Sequence, residues 1–158
     1  KKFNPYFNNH INIMITLYIL QLLFGTFIAG TNAGLLWNTF PLIEGKLIPD
    51  GLFILKPIYN NFINNMKMFQ FAHRLLGTIL ILYAGWFYYV TKDEYFNNDV
   101  RFLFLILLIQ FFIGVITLLL SVPVFMGVVH QGFAVIILLV ITRIRFFVYK
   151  DKLLKARM

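Results

Sequence analysis

No cysteine occurs anywhere in this chain. That absence excludes disulfides, iron–sulfur ligation, a thiolate ligand to a haem iron and covalent attachment through C-x-x-C-H. Acid is scarce as well. Asp and Glu number 6 against 14 Lys and Arg, and charged residues make up only 13% of the chain. Almost none of that acid falls in the apolar segments, so carboxylate-built metal sites have little to draw on there.

What is present is hydrocarbon. Hydrophobic residues make up 60% of the 158 and the mean hydropathy is +0.80, whereas soluble domains are roughly 45–50% apolar. Four stretches, 11–30, 69–90, 102–120 and 124–147, are each long enough to cross a bilayer, which takes about 20 residues. Little remains outside them. The pattern predicts an all-α membrane protein, a four-transmembrane-helix bundle forming one domain over residues 1–158, with no separate soluble domain.

The net charge of +8 suggests nucleic acid until its placement is read. Lys1, Lys2, Lys92, Arg101, Arg143, Arg145, Lys150, Lys152, Lys155 and Arg157 fall on one side of the expected spans, and only Lys46, Lys56 and Lys67 on the other. Ten against three is the positive-inside bias, so both termini are expected on the cytoplasmic or matrix side and no nucleic-acid partner is expected. The basic tail suits anionic lipid. The chain opens Lys1-Lys2 with no initiating methionine and no signal-peptide cleavage pattern, and is read as part of a longer protein.

An outer connection over 31–68 gathers Gly34, Pro41, Gly45, Pro49, Gly51, Pro57 and two Asn-Asn pairs, which are loop formers. Its length is uncommon unless functional or disordered. Trp37, Phe40, Phe53, Tyr59 and Phe62 argue for packing over the membrane surface, and some suit interfacial anchoring. The other links are short, with Pro123 near the first turn of the fourth span.

An internal repeat links the spans. Gln21-Leu22-Leu23-Phe24-Gly25 in the first is echoed by Gln110-Phe111-Phe112-Ile113-Gly114 in the third. Each is followed by a span with a histidine near its outer end, His73-Arg74 and then His130-Gln131. Spans one and three run in the same direction, so the repeat is parallel and is related by an axis along the membrane normal. His73 lies about 6 Å and His130 about 9 Å from their outer ends by helix rise, depths that match. Gly77 and Ala134, one turn deeper on the same faces, leave a gap suited to a flat ring.

An ionisable ring in hydrocarbon is costly and is a functional candidate. Two of them at one depth suit the two axial positions of a haem iron, with His73 and His130 as metal ligands. The plainer alternative is interhelical hydrogen bonding. Arg74 either snorkels to the interface or pairs with haem propionates, and Gln131 is its counterpart at the same periphery. Gln21 and Gln110 either pack helices closely beside small residues or line the porphyrin. Gln70 faces the loop, a propionate or headgroups. Glu44 reads as a solvated loop acid rather than a catalyst, Met126 as filler, and His10 as a surface residue ahead of the first helix.

Taken together, these ordered motifs resemble the haem A synthase (Cox15/CtaA) family, in its mitochondrial and alphaproteobacterial branch. They are Gln21 to Gly25, Ala29-Gly30-Thr31-Asn32-Ala33-Gly34, Asn38-Thr39-Phe40-Pro41, Gln70-Phe71-Ala72-His73-Arg74, Gln110 to Gly114, Ile116-Thr117-Leu118, Val122-Pro123 and His130-Gln131. The resemblance implies an eight-helix protein in two similar halves, of which this chain matches the C-terminal half. It implies a haem b held between His73 and His130, with Arg74 and Gln131 at its edge. The first half carries its own histidine pair and is thought to hold haem O, whose methyl group the enzyme oxidises to the formyl of haem A for cytochrome oxidase. No catalytic residue carries over to this chain. Implied partners are haem O through the other half, membrane lipid, an electron donor of unknown identity, and haem O synthase or self-association. The implied location is a bacterial inner or mitochondrial inner membrane, crossed several times. Two further readings stay open: a stand-alone bis-histidine b-type cytochrome passing electrons, and a transporter or structural subunit without haem.

Overall fold

The computed structural model describes residues 5–155, and the side chains of residues 6–149. Of the charges counted above, Lys1, Lys2 and Arg157 lie outside the described residues, as do the side chains of Lys150, Lys152 and Lys155. Five α-helices carry the described chain: α1 (Pro5–Gly30), α2 (Asn61–Asn64), α3 (Met66–Val90), α4 (Asn97–Leu119) and α5 (Val124–Lys155). Two 3-10 turns, Ala33–Leu35 and Ile58–Asn60, sit in the long connection after α1. Among the described residues the only β pairing is an isolated bridge between Ile43 and Lys46.

The helix ends follow from local chemistry. Asn65 caps α3, its side-chain oxygen accepting from the Lys67 and Met68 amides and so satisfying donors that a helix start leaves free. Its Nδ2 donates back to the carbonyls of Gly51 and Leu52 and to Asn61 Oδ1, tying α3 to the loop. Asp99 sits in the first turn of α4, where the helix dipole favours an anion, and accepts from Arg143 Nε of α5 at 2.8 Å. The α4–α5 link is tight. Ser121 and Val122 both take positive φ, at 59° and 57°. Pro123 then offers the carbonyl that receives Gly127 N–H at 3.0 Å, opening α5.

Four long helices close a ring: α1 packs on α3, α3 on α4, α4 on α5, and α5 on α1. Of these, α1, α4 and α5 are long and apolar enough to cross a membrane. Only 11%, 22% and 17% of their most apolar windows is buried inside the structure, so most of that hydrocarbon faces outward. Soluble monomers rarely expose contiguous apolar surface on this scale. Helix α3 has comparable length, 25 residues, but His73, Arg74 and three tyrosines dilute its apolar character.

The ring is packed solid at one end only. The early part of α1 (Phe7, Ile11, Met14), the late part of α3 (Leu80, Ala84, Phe87), the early part of α4 (Val100, Leu103) and the later part of α5 (Ile137, Ile141, Ile144) form one buried core. The other end stays open as a cavity. His10, expected ahead of the first helix, lies inside α1 instead. Its ring packs 4.1 Å from Tyr6 and 4.9 Å from Trp86, with Nδ1 2.6 Å from the Tyr83 hydroxyl. The apolar-run criterion started that helix too late, because Asn8 and Asn9 interrupt the hydrocarbon but not the helix.

Replacing Asn65 with alanine removes the α3 cap and its ties to the loop. It is expected to destabilise the chain by at least about 1–2 kcal/mol, read as a lowered unfolding midpoint in detergent.

Candidate functional site

The cavity occupies about 380 Å³ between the four long helices, within the range of about 300–1,000 Å³ usual for ligand pockets. Each long helix contributes one stripe at helical spacing: Tyr18, Gln21 and Gly25 from α1; Gln70, His73, Arg74 and Gly77 from α3; Leu107, Gln110 and Gly114 from α4; Gly127, His130, Gln131 and Ala134 from α5. The repeat seen in the sequence is therefore a structural one. Both histidines line the same cavity.

Each histidine is held by the glutamine of the preceding repeat helix. Gln21 Nε2 lies 3.2 Å from His73 Nε2, and Gln110 Nε2 lies 3.3 Å from His130 Nε2. The glycine four residues on makes room for the ring. A Cβ at Gly25 would stand 3.1 Å from His73 Cε1, and one at Gly114 only 2.8 Å from His130 Cε1. Gly77 does the same for the Gln21 amide, at 3.2 Å. The gap expected beside His73 at Gly77 is thus taken by Gln21. The glutamines bond across the bundle, the first alternative posed for them, and their side chains also border the cavity.

His73 Nδ1 lies 3.1 Å from the Gln21 backbone oxygen. A carbonyl can only accept, so Nδ1 carries the hydrogen and Nε2 keeps its lone pair. The Gln21 amide then donates to that lone pair. On the other side, Gln110 Nε2 also donates to the His130 carbonyl, at 3.0 Å. Three buried side-chain polar atoms are without a partner among the described residues: Gln21 Oε1, Gln110 Oε1 and His130 Nδ1. All three belong to these two pairs. Unpaired buried groups are rare and call for an explanation.

The outer loop roofs the cavity. Gly34, Leu35 and Phe40 line it, and Phe40 sits edge-on to Phe111 at 5.6 Å. Asn38 Nδ2 donates to Gly34 O at 2.6 Å and to Leu118 O at 2.9 Å, joining the loop to the end of α4. Arg74 holds the same loop from α3. It donates to the carbonyls of Trp37, Pro41 and Leu42 and to Gln70 Oε1, while Gln70 Nε2 reaches Ala33 O at 2.7 Å. Arg74 thus does something the sequence did not suggest, latching the roof while bordering the cavity. Gln70 faces the loop, one of its three expected choices. Gln131 is an exposed residue at the cavity edge.

Glu44 lies outside this site. It accepts from Trp37 Nε1 at 2.9 Å and from Lys67 Nζ at 2.7 Å, and Lys67 sits over the Trp37 ring. The hydrogen bond from Lys67, then that from Trp37, holds its carboxyl below the usual carboxylate range. Met126 is not among the lining residues. The liners that escaped the sequence reading include Tyr18 and Phe40. Tyr18, whose hydroxyl donates to Ala134 O at 2.5 Å, lies three residues before Gln21, so extending that helical stripe by one turn finds it. Phe40 had no such signal, because loops carry no periodicity.

Chemically, the site offers two imidazoles to one largely apolar space. Among the described residues no cluster of three or more His, Asp or Glu exists. A metal held here would not draw further ligands from histidine or carboxylate side chains.

Comparison with known proteins adds a family. The model described as COX15-CtaA, cytochrome oxidase assembly protein, matches residues 4–142. The chain is 42% identical to the Heme A synthase of Nitrosomonas eutropha, over 77% of this chain and 35% of that protein. It is 39% identical to the Heme A synthase of Mesorhizobium japonicum, over 79% and 36%. It is 37% identical to that of Wolbachia pipientis wMel, over 81% and 36%. The chain thus spans little more than a third of the length of these relatives. No solved structure matches it.

Two outcomes test this geometry. Gly132, with nothing within 4 Å of an added Cβ, is expected to gain about 1 kcal/mol as alanine from helix propensity. Gly114→Ala is expected to lose about 1–3 kcal/mol by overpacking against His130, so the two substitutions should move the detergent unfolding midpoint in opposite directions. Separately, a carboxyl with a depressed folded pKa stabilises above its unfolded value and stops doing so as pH falls through the folded one. Trp37 emission, read in a Trp86→Phe background, should therefore change at a pH below the usual carboxylate range, and Glu44→Gln should abolish that transition.

Proposed function

The chain belongs to the COX15-CtaA family of cytochrome oxidase assembly proteins, and from that premise we propose that it is the haem-holding part of a haem A synthase. The observation that carries the reading is the pair of glutamine–histidine contacts around one apolar cavity, with every unpartnered buried side-chain polar atom among the described residues gathered there. A haem b fits that arrangement. Two imidazoles, from His73 and His130, would hold its iron. Gly25 and Gly114 keep the rings free to approach. Arg74 and Gln131 border its periphery, where guanidinium donors suit propionate oxygens.

A haem held by two histidines would supply electron transfer rather than oxygen activation. The chain's own residues set its surroundings. The apolar stripes exclude water, Asn38 and Arg74 keep the roof in place, and the Gln21 carbonyl orients the His73 ring. In this reading the chain corresponds to the C-terminal half of an eight-helix enzyme, and the other half binds haem O and oxidises its methyl group to the formyl of haem A. All four long helices, α3 included, cross a bacterial inner membrane with both termini on the cytoplasmic side. The 32 residues of α5 reach about 48 Å, longer than a hydrocarbon core of about 30 Å, and its basic last turns then stand in the cytoplasmic interface. The second reading, a stand-alone b-type cytochrome, uses the same site. Haem O oxidation by this chain joined to a second four-helix half supports the synthase. Haem binding without turnover in that assembly supports the cytochrome.

The direct test is the absorption spectrum of the detergent-purified chain supplied with haem, oxidised and then reduced. A sharp low-spin b-type spectrum is expected. His73→Ala and His130→Ala should each abolish it or turn it high-spin. A folded wild-type chain that stays colourless in excess haem overturns the assignment.

A further inference from the structure

The two histidines share a cavity but not a hydrogen-bonding state. His73 is satisfied at both nitrogens: Nδ1–H donates to the Gln21 carbonyl at 3.1 Å, and Nε2 accepts from the Gln21 amide at 3.2 Å. This is the tautomer a metal at Nε2 requires, with the outer nitrogen donating to a carbonyl that fixes the ring.

His130 has no such assignment. If Nδ1 carries the hydrogen, a buried donor is left without an acceptor. If Nε2 carries it, that hydrogen points at the Gln110 amide nitrogen 3.3 Å away. Turning the amide round to accept it sacrifices the 3.0 Å bond from Gln110 Nε2 to the His130 carbonyl. Every choice leaves at least one group unpaired, so the hydrogen bonds around His130 select neither tautomer. The repeat is thus symmetric in residues and asymmetric in hydrogen bonds.

We infer that His73 is the anchoring ligand of the pair and His130 the exchangeable one, with Gln21 a positioning residue for His73 through its backbone carbonyl. The inference rests on the haem reading above for its consequences, but the asymmetry itself is a property of the ligand-free chain. An outer hydrogen bond to a metal-bound histidine is worth about 10–100-fold in affinity. His73 has that bond and His130 lacks it.

The first measurement needs no haem. Nitrogen-15 NMR of histidine-labelled, ligand-free chain at neutral pH, assigned with His73→Gln and His130→Gln, should show His73 as a single tautomer protonated at Nδ1. His130 should show averaged nitrogens. Two identical tautomer patterns overturn the inference, whether or not the chain binds haem. The second measurement titrates haem into single variants. His130→Ala is expected to keep a high-spin haem that binds added imidazole or carbon monoxide, and His73→Ala to bind about 10–100-fold more weakly than His130→Ala. Equal losses, or the reverse order, overturn the inference while leaving the shared haem site standing. A wild-type chain that takes up no haem sinks the functional reading instead, and the NMR result then still decides the asymmetry. If either alanine variant does not fold, carbon monoxide binding to the reduced wild type reports the same property. Replacement of one histidine, identified as His130 by its freed ring resonances, supports the inference, and replacement of His73 refutes it.

Discussion

An imidazole inside an apolar bundle has two nitrogens to satisfy and no water to satisfy them. The arrangement around the cavity follows from that constraint. His73 and His130 each need a polar neighbour on an adjacent helix, and the glutamine on the preceding repeat helix provides it. The neighbour must also approach closely, so the position one turn on is glycine in both repeats, with ring atoms standing where a side chain would begin. Glutamine, glycine and histidine therefore form a unit spread over two helices. The bundle contains that unit twice.

The rest of the chain is organised to keep this end of the bundle open without letting it collapse. A close-packed core at the opposite end, centred on Phe87, Leu103 and Ile141, holds the helices at fixed spacing. At the open end the loop after α1 closes the mouth from above. Its attachments include Asn38 to α4, Gln70, Arg74 and Lys67 from α3, Asn65 at the α3 cap, and the Phe40 ring against Phe111. The outward faces of α1, α4 and α5 remain hydrocarbon for lipid to cover.

Membership of the COX15-CtaA family joins these features. An apolar cavity of about 380 Å³ lined by two imidazoles is in keeping with the haem reading proposed above.

Much of this was legible in the residues. Hydrocarbon runs marked the four long helices to within a few residues at most ends, because a bilayer imposes length and apolarity together. Where polar residues interrupted a run without breaking the helix, as at Asn8 and Asn9, the boundary was missed. The repeated Gln-x-x-x-Gly and the two histidines pointed to residues that line one cavity, since helical periodicity converts spacing into a shared face. The loop contacts of Arg74 and Phe40 were not legible, because each bonds or packs against a segment distant in sequence, and no local pattern encodes a loop folding back over a bundle.

The sequence by itself determined that the chain is helical, apolar and built on a repeat, because these depend on composition and on spacing along one helix. Only the tertiary structure decided that the two repeats differ. Whether a ring nitrogen meets a carbonyl on the neighbouring helix depends on how two helices are set against each other by fractions of an ångström, and a one-dimensional pattern that reads the same in both halves carries no record of that.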